Sequence, residues 1–335
     1  MLNSFRKKKK PPSELLGLDF SATGIKAVKL RYVKGRLSLG GVEILPAIDL
    51  TEKDAKLSAL NIPKSIKANY ACACVSNREA LAKMLSLPGQ SDPQKVTNQI
   101  KEQFKISDDY RISSITLGAA KAKSGGKLLA AAIPEAQISR LLSMTADSPP
   151  ALKSCEVSAL AALQAFLASS QAESEDGLGF IEMGELTTNI FFMHRKSLVL
   201  MRQYDIGSRL VTDRIVNDFH VDRQTAANIM TEGAIDLSSL YSEILGFIVR
   251  QAVLSKDFVE RQEKCKVSRL YVSGGMSNSD NWNKILADNT SIKVVLFNPF
   301  DHIAMEVESI PQEFRANGGR FSAAIGATLG EFGIV

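Results

Sequence analysis

One strand pattern occurs twice in this chain, and that repeat narrows the possible folds more than any other feature. The first copy runs Leu15-Leu-Gly-Leu-Asp-Phe20, a small-residue turn at Ser21-Ala-Thr, Gly24-Ile-Lys-Ala-Val-Lys-Leu30, a Lys34-Gly35 turn and a third strand from Arg36 to Leu45. The second runs Gly179-Phe-Ile-Glu-Met-Gly184, a turn at Glu185-Leu-Thr-Thr188, Asn189 to His194, and Ser197 to Gln203. Each copy reads as an antiparallel meander, because short apolar runs separated by turn residues form hairpins. A chain of 335 residues built this way is expected to be a duplicated, two-lobed α/β protein.

Between the copies, Ala68 to Pro149 reads as a separate α+β unit. Its strands are expected near 70–76, 81–87, 112–118 and 127–133, and its helices near 92–105 and 134–146. Pro149-Pro150 ends it, and a helix is expected from about Glu156 to Ser170. Helices dominate from Ser208 to Gln262. A strand then runs into Gly274-Gly275, another lies at Lys293 to Phe297, and an Ala/Gly-rich helix closes the chain from Phe321 to Glu331.

Charge is localised. Of 41 Lys and Arg, five are Arg6, Lys7, Lys8, Lys9 and Lys10, which leaves 36 facing 36 Asp and Glu. A neutral body with a basic arm argues against nucleic-acid binding, which spreads charge over a face. The arm suits an anionic membrane surface, at about 1 kcal/mol per cation, as well as it suits a solvated start. No apolar run reaches the roughly 20 residues of a membrane helix, and Pro11-Pro12-Ser13 stands where a signal peptide would turn apolar, so a cytoplasmic location is expected. Cys72 and Cys74 read as core thiols, and the isolated His194, His220 and His302 complete no metal site.

Three motifs carry chemistry, the first two at equivalent places in the two halves. Asp19-Phe-Ser-Ala-Thr-Gly-Ile-Lys26 offers turn N–H groups, the Ser21 and Thr23 hydroxyls and the Lys26 ammonium to phosphate oxygens, with Asp19 able to hold Mg²⁺. Glu182-Met-Gly184 and Thr187 occupy the matching turn of the second half. Val272-Ser-Gly-Gly-Met276 ends a strand in paired glycines, where backbone approaches a nucleoside without side-chain bulk. Gly125-Gly126-Lys127 lacks the upstream glycine and following hydroxyl of a phosphate-binding loop.

The order of these motifs resembles the actin, sugar-kinase and heat-shock-chaperone ATPases: two phosphate hairpins, a connecting segment with a carboxylate, and an adenosine-loop Gly-Gly. In Cys155-Glu-Val-Ser-Ala-Leu-Ala-Ala-Leu163 the leading carboxylate, Glu156, resembles the one that family places near the attacking water. Within this superfamily the chain most resembles the type IV pilus assembly PilM family, over nearly its whole length. The likeness is strongest at the basic start with Leu15-Leu-Gly-Leu-Asp-Phe-Ser21, at Arg202 to Phe219, and at Val272-Ser-Gly-Gly, Phe297-Asn-Pro-Phe300 and Phe321 to Leu329. That resemblance implies an actin-like (ribonuclease H-like) fold. Residues 1–14 would be a basic arm, 15–50, 150–176 and 321–335 a first lobe, 51–149 an inserted subdomain and 177–320 a second lobe. It implies ATP and Mg²⁺, bound through Ser21, Thr23, Lys26, Gly184, Thr187, Gly274, Gly275 and Met276, with Asp19 and Glu182 at the metal.

It also implies a scaffold peripheral to the inner membrane that holds the cytoplasmic tail of a PilN-like protein and links to pilus motor components. Phe104 and Ile106 are the expected apolar lining of the partner groove, and an oligomer stays open. Two departures count against nucleotide. Glu182 replaces an Asp, and Glu185, with no partner evident in sequence, replaces a small residue. A carboxylate about 4 Å from a phosphate costs about 1 kcal/mol in water and about 4 at an effective dielectric of 20. An active ATPase or phosphotransferase, or an FtsA-like filament protein, are the competing readings.

Overall fold

The computed structural model describes residues 12–52, 60–87, 92–117, 126–146, 149–232, 235–305 and 310–334. The basic cluster Arg6 to Lys10 lies outside the described residues. The opening meander is β1 (Glu14–Ser21), β2 (Gly24–Val33) and β3 (Arg36–Leu45), followed by β4 (Tyr70–Val75). Next come β5 (Leu81–Leu87), α1 (Pro93–Phe104), β6 (Tyr110–Leu117), β7 (Gly126–Pro134) and α2 (Glu135–Met144), then β8 (Ala151–Val157) and α3 (Ser158–Leu167). The second meander is β9 (Gly177–Met183), β10 (Thr188–His194) and β11 (Ser197–Tyr204). It leads into α4 (Ser208–Phe219), α5 (Arg223–Glu232), α6 (Ser238–Glu263), β12 (Val267–Gly274), α7 (Asp280–Thr290) and β13 (Lys293–Leu296). A two-residue β14 (Ala304–Met305), a short α8 (Gln312–Ala316) and α9 (Ser322–Phe332) finish the chain.

Duplication is explicit in the sheets. One has the order β14-β3-β2-β1-β4-β8, the other β11-β10-β9-β12-β13. In each, three antiparallel strands are followed by two parallel ones, β1-β4-β8 and β9-β12-β13. Even the second hairpin turn repeats, with left-handed backbone at Lys34-Gly35 and again at Arg195-Lys196, the geometry that matches strand twist. A doubled sheet of this order is the actin-like fold.

Two expected boundaries move. Tyr70–Val75, placed by sequence in the inserted unit, is instead a central strand of the first sheet between β1 and β8. The segment from Glu156, expected to be helical, opens as the last residues of β8, and the helix starts at Ser158. β4 is buried on nearly its whole length and carries no period that would assign it to a sheet, whereas β8 is a partly exposed edge strand whose end runs directly into the alanine-rich helix. The inserted unit itself is the three-stranded sheet β5-β7-β6, with a small core of Leu85, Ile100, Leu128 and Ala130 under α1. Asp92 caps α1 through its side chain, with Pro93 at the first helical position.

α3 and α9 lie against each other beneath the lobes. A Cβ on Gly326 would sit 1.7 Å from the Ala161 carbonyl oxygen, and one on Gly17 of β1 would sit 1.8 Å from that of Ala324. These glycines set how closely α9 approaches α3 and the first sheet. Phe166 of α3 reaches the other lobe, stacking 4.9 Å from Phe180 by ring centroids, with Tyr271 tilted against it at 4.9 Å and Phe297 edge-on at 5.3 Å. One hydrophobic cluster thus spans both lobes, beside a second that belongs to the later lobe alone.

Candidate functional site

The β1–β2 turn, the β9–β10 turn and the end of β12 converge on a cleft of about 670 Å³. Asp19, Ser21, Thr23, Lys26, Glu182, Gly184, Gly274, Gly275 and Met276 all line it. Thr187 does not: it is buried, and its carbonyl closes the turn by accepting from the Gly184 N–H at 2.9 Å. Gly274 has φ +91°, and a Cβ there would stand 2.2 Å from the Met183 carbonyl, so only glycine lets β12 end against β9. Above Gly275 nothing lies within 4 Å of an added Cβ, which leaves open space for a ligand.

Lys26 is only 6% exposed. Its ammonium donates to the Ser21 hydroxyl and, at 2.8 Å, to Thr23 Oγ1. Ser21 in turn spends its own proton on the Gly24 carbonyl at 2.8 Å. Ser21 therefore orients Lys26, and the ammonium is the cation the turn presents. Burial lowers the Lys26 pKa against the pull of Asp19, while burial raises that of Asp19 against Lys26 and the Ser158 hydroxyl, which donates to Asp19 Oδ1 at 2.6 Å. Glu182 accepts from Asn189 Nδ2 at 2.9 Å, and burial pushes its pKa up to about 7.

Glu185 has a partner after all. Arg209 Nε and Nη2 donate to its Oε1 at 2.8 and 2.7 Å, and the backbone N–H groups of Ser208 and Arg209 bind the carbonyls of Gly184 and Glu185. The start of α4 thus grips the second turn and neutralises the charge expected to repel phosphate. Gly207 makes this close packing feasible, since a Cβ there would meet the Glu185 carbonyl at 2.3 Å. Glu156 does not line the cleft; its Oε2 accepts from Gln164 Nε2 at 2.9 Å, and burial pushes its pKa up to about 7.

Sequence reasoning missed Ser76, Arg209, Arg223 and Arg320, which also line the cleft. Arg320 is half-buried and makes no side-chain hydrogen bond or ion pair among the described residues, and desolvation lowers its pKa. Only the three-dimensional closure of the 3₁₀ turn Gly318–Phe321 onto β12, through Ser273 Oγ donating to the Gly319 carbonyl at 3.0 Å, brings it there. A polyphosphate fits these groups: two cations, the buried Lys26 and the half-buried Arg320, line the same cleft as Gly275. Mg²⁺ needs one or two carboxylates beside phosphate oxygens, which Asp19 and Glu182 can supply.

Both raised carboxyls carry a stability consequence. A group whose folded pKa lies near 7 and whose unfolded pKa lies near 4.5 takes up a proton on folding, so its contribution is present below about pH 4.5 and lost as pH rises to 7. Thermal melting is expected to fall between about pH 5 and pH 8. Glu156→Gln and Glu182→Gln should each flatten that slope; a wild-type slope retained in both would refute the assignment.

A second concavity, of about 570 Å³, lies between the inserted unit and the second lobe. Its walls are two sheet edges, β5 and β11, and Phe104 at the end of α1, Met84, Met201 and Phe258 line it. Ile106 does not. At one end the Gln203 amide bridges the edges, donating to the Ala80 carbonyl and accepting from the Ala82 N–H, both at 3.1 Å. Those bonds, with Gln99 donating to the Ser86 carbonyl at 3.3 Å, show that Ala82, Met84 and Ser86 turn their backbone groups away from β7.

A family model described as "Type IV pilus assembly protein PilM" matches residues 119–332, well over half of the chain. The chain belongs to the PilM family. A solved PilM-PilN type IV pilus biogenesis complex is similar in fold, with a TM-score of 0.73 over 96% of this chain and 99% of that one at 16% identity. A Bacteroides thetaiotaomicron protein of actin-like ATPase fold and unknown function aligns over 88% of this chain and 95% of its own, with 8% identity and a TM-score of 0.48. No described helix of this PilM-family chain is long and apolar enough to cross a membrane.

Proposed function

We propose that this protein is a scaffold of type IV pilus assembly, peripheral at the inner membrane, that holds the extended cytoplasmic tail of a PilN-like protein in the groove between β5 and β11. The observation that carries this reading is the pair of facing sheet edges with unspent backbone groups at Met84. A strand laid there gains main-chain bonds for affinity, and the apolar walls at Phe104, Met84, Met201 and Phe258 accept alternate side chains for register. Family membership supplies the biological setting.

The cleft is proposed to bind Mg-ATP. Lys26 and Arg320 would hold phosphate oxygens, Asp19 and Glu182 would face the metal, and Ser21 with Thr23 would hold Lys26 in place. Bound Mg²⁺ would supply Lewis-acid neutralisation of the phosphates. Ser158 keeps Asp19 oriented, and α4 keeps the second turn closed through Arg209. No water-activating role is assigned to Glu156, which Gln164 holds outside the cleft.

Fluorescence anisotropy with a labelled peptide of a PilN-like cytoplasmic tail tests the groove. The peptide should bind, and Phe104→Glu, which puts a charge on the apolar wall, should weaken binding by tenfold or more, about 1.4 kcal/mol. Equal binding by the variant would remove the groove from the interface. Binding of the same peptide to neither protein would overturn the partner.

A further inference from the structure

Among the described residues, β6 is the longest sheet edge that does not border the groove, at eight residues. Its phase is set by the Asp109 carbonyl, which accepts from the Glu135 N–H at 2.8 Å. Odd-numbered residues therefore face β7, and Ile112, Ser114 and Thr116 turn N–H and C=O outward. Ser113, Ser114, Ile115 and Thr116 are all exposed, Ile115 by 59%, so both faces of the strand are bare at this end.

Proteins protect such edges with lysines, prolines, bulges or covering elements. The competing free edges follow that rule: β8 carries Lys153, β13 is four residues long and carries Lys293, and β14 has two residues. From Ile112 to Leu117, β6 has no charge, no proline and an unbroken register with β7. Its one cation, Arg111, is turned onto Glu135 of α2 at 2.6 Å.

We propose that β6 pairs antiparallel with β6 of a second copy of this chain, about a two-fold axis at Ser114. Because the outward residues are even-numbered, the axis can lie on Ser114 or Ser113 without breaking the ladder. An axis at Ser114 sets Ile112 opposite Thr116 and Ser113 opposite Ile115, and brings the two Ile115 side chains into diagonal contact. An axis at Ser113 sets Ile115 opposite Arg111. The Ser114 register covers apolar surface with apolar and hydroxyl neighbours and opposes no charges. The same patch serves both copies, as a two-fold interface requires.

Light scattering across a dilution series of the full chain, without peptide or nucleotide, is the test. Wild type should move to twice the chain mass as concentration rises. Ile115→Lys, at an exposed position that leaves the fold intact, should stay at the single-chain mass while binding tail peptide as wild type does. Under mild oxidation Ser114→Cys should cross-link as a dimer, since opposite residues of a bonded pair stand about 5.5 Å apart, within disulfide range. Ser113→Cys should not, beyond the background of wild type with its own four cysteines. A wild type that remains single at every concentration, or an Ile115→Lys protein that still doubles, overturns the proposal. Cross-linking through Ser113→Cys in preference to Ser114→Cys overturns the register.

Discussion

Gly326→Val is expected to cost about 3 kcal/mol or more of folding stability, the upper end of what overpacking costs in a close-packed core. The obstacle is backbone: an added Cβ would sit 1.7 Å from the Ala161 carbonyl oxygen, which no rotamer change can relieve. α3 and α9 would have to part, and with them Phe166 would leave its contacts with Phe180, Tyr271 and Phe297 across the lobes. Gly330, one turn along the same helix, is the control. Its Cβ would meet only Gln164 Oε1 at 4.0 Å, so Gly330→Ala should gain about 0.5–1 kcal/mol from the lower cost of ordering alanine. Urea denaturation of the two proteins reads the difference as a shift in midpoint. Similar midpoints would mean that α9 does not pack on α3 as described.

Lys26→Ala is expected to weaken Mg-ATP binding at least about 30-fold, the equivalent of about 2 kcal/mol for removing one buried member of a charge-assisted contact. Isothermal calorimetry would measure it. The loss has two parts. A cation facing phosphate disappears, and Asp19 loses the charge that opposes its burial, so its carboxyl moves further toward the neutral form and away from Mg²⁺. Arg320→Ala should remove a second phosphate contact without touching Asp19, and so should be the milder of the two. Ser21→Ala should be milder still, because that hydroxyl positions the ammonium while its own proton belongs to Gly24. Wild-type affinity in Lys26→Ala would take nucleotide out of this cleft. A wild type that binds no Mg-ATP would leave a fold kept for its partner.

Arg209→Ala offers a different view of the second turn. It would strand the Glu185 carboxylate, whose Oε2 is already buried without a partner, beside the cleft. Its effect on nucleotide should therefore exceed that of Glu185→Ala, which removes the charge altogether. The reverse ranking would show that Glu185 is not compensated by Arg209.

How legible was this in the chain itself? The two meanders were, down to their turns, because β1–β3 and β9–β11 form by local pairing, and alternation with Gly and small residues announces hairpins. That the two turns meet at one cleft followed from their place in those hairpins. β4 was readable as a strand but not as a member of the first sheet, and β8 was not read at all, since each pairs in parallel with a segment far away in the chain. Glu156 drew attention as the carboxylate of the connecting segment, yet two residues on it is Ser158 that reaches Asp19.

Sequence alone thus determined the duplication, the glycine turns and the identities of Lys26, Asp19 and Gly274, because each rests on short-range geometry. Only tertiary structure decided that Arg209 answers Glu185, that Arg320 enters the cleft, and that β5 and β11 face each other across a groove. Those pairings join residues 24, 294 and 121 positions apart: Arg209 with Glu185, Arg320 with Lys26, and Gln203 with Ala82. Electrostatic compensation and sheet edges act through space, and a linear pattern holds no record of which distant groups close on one another.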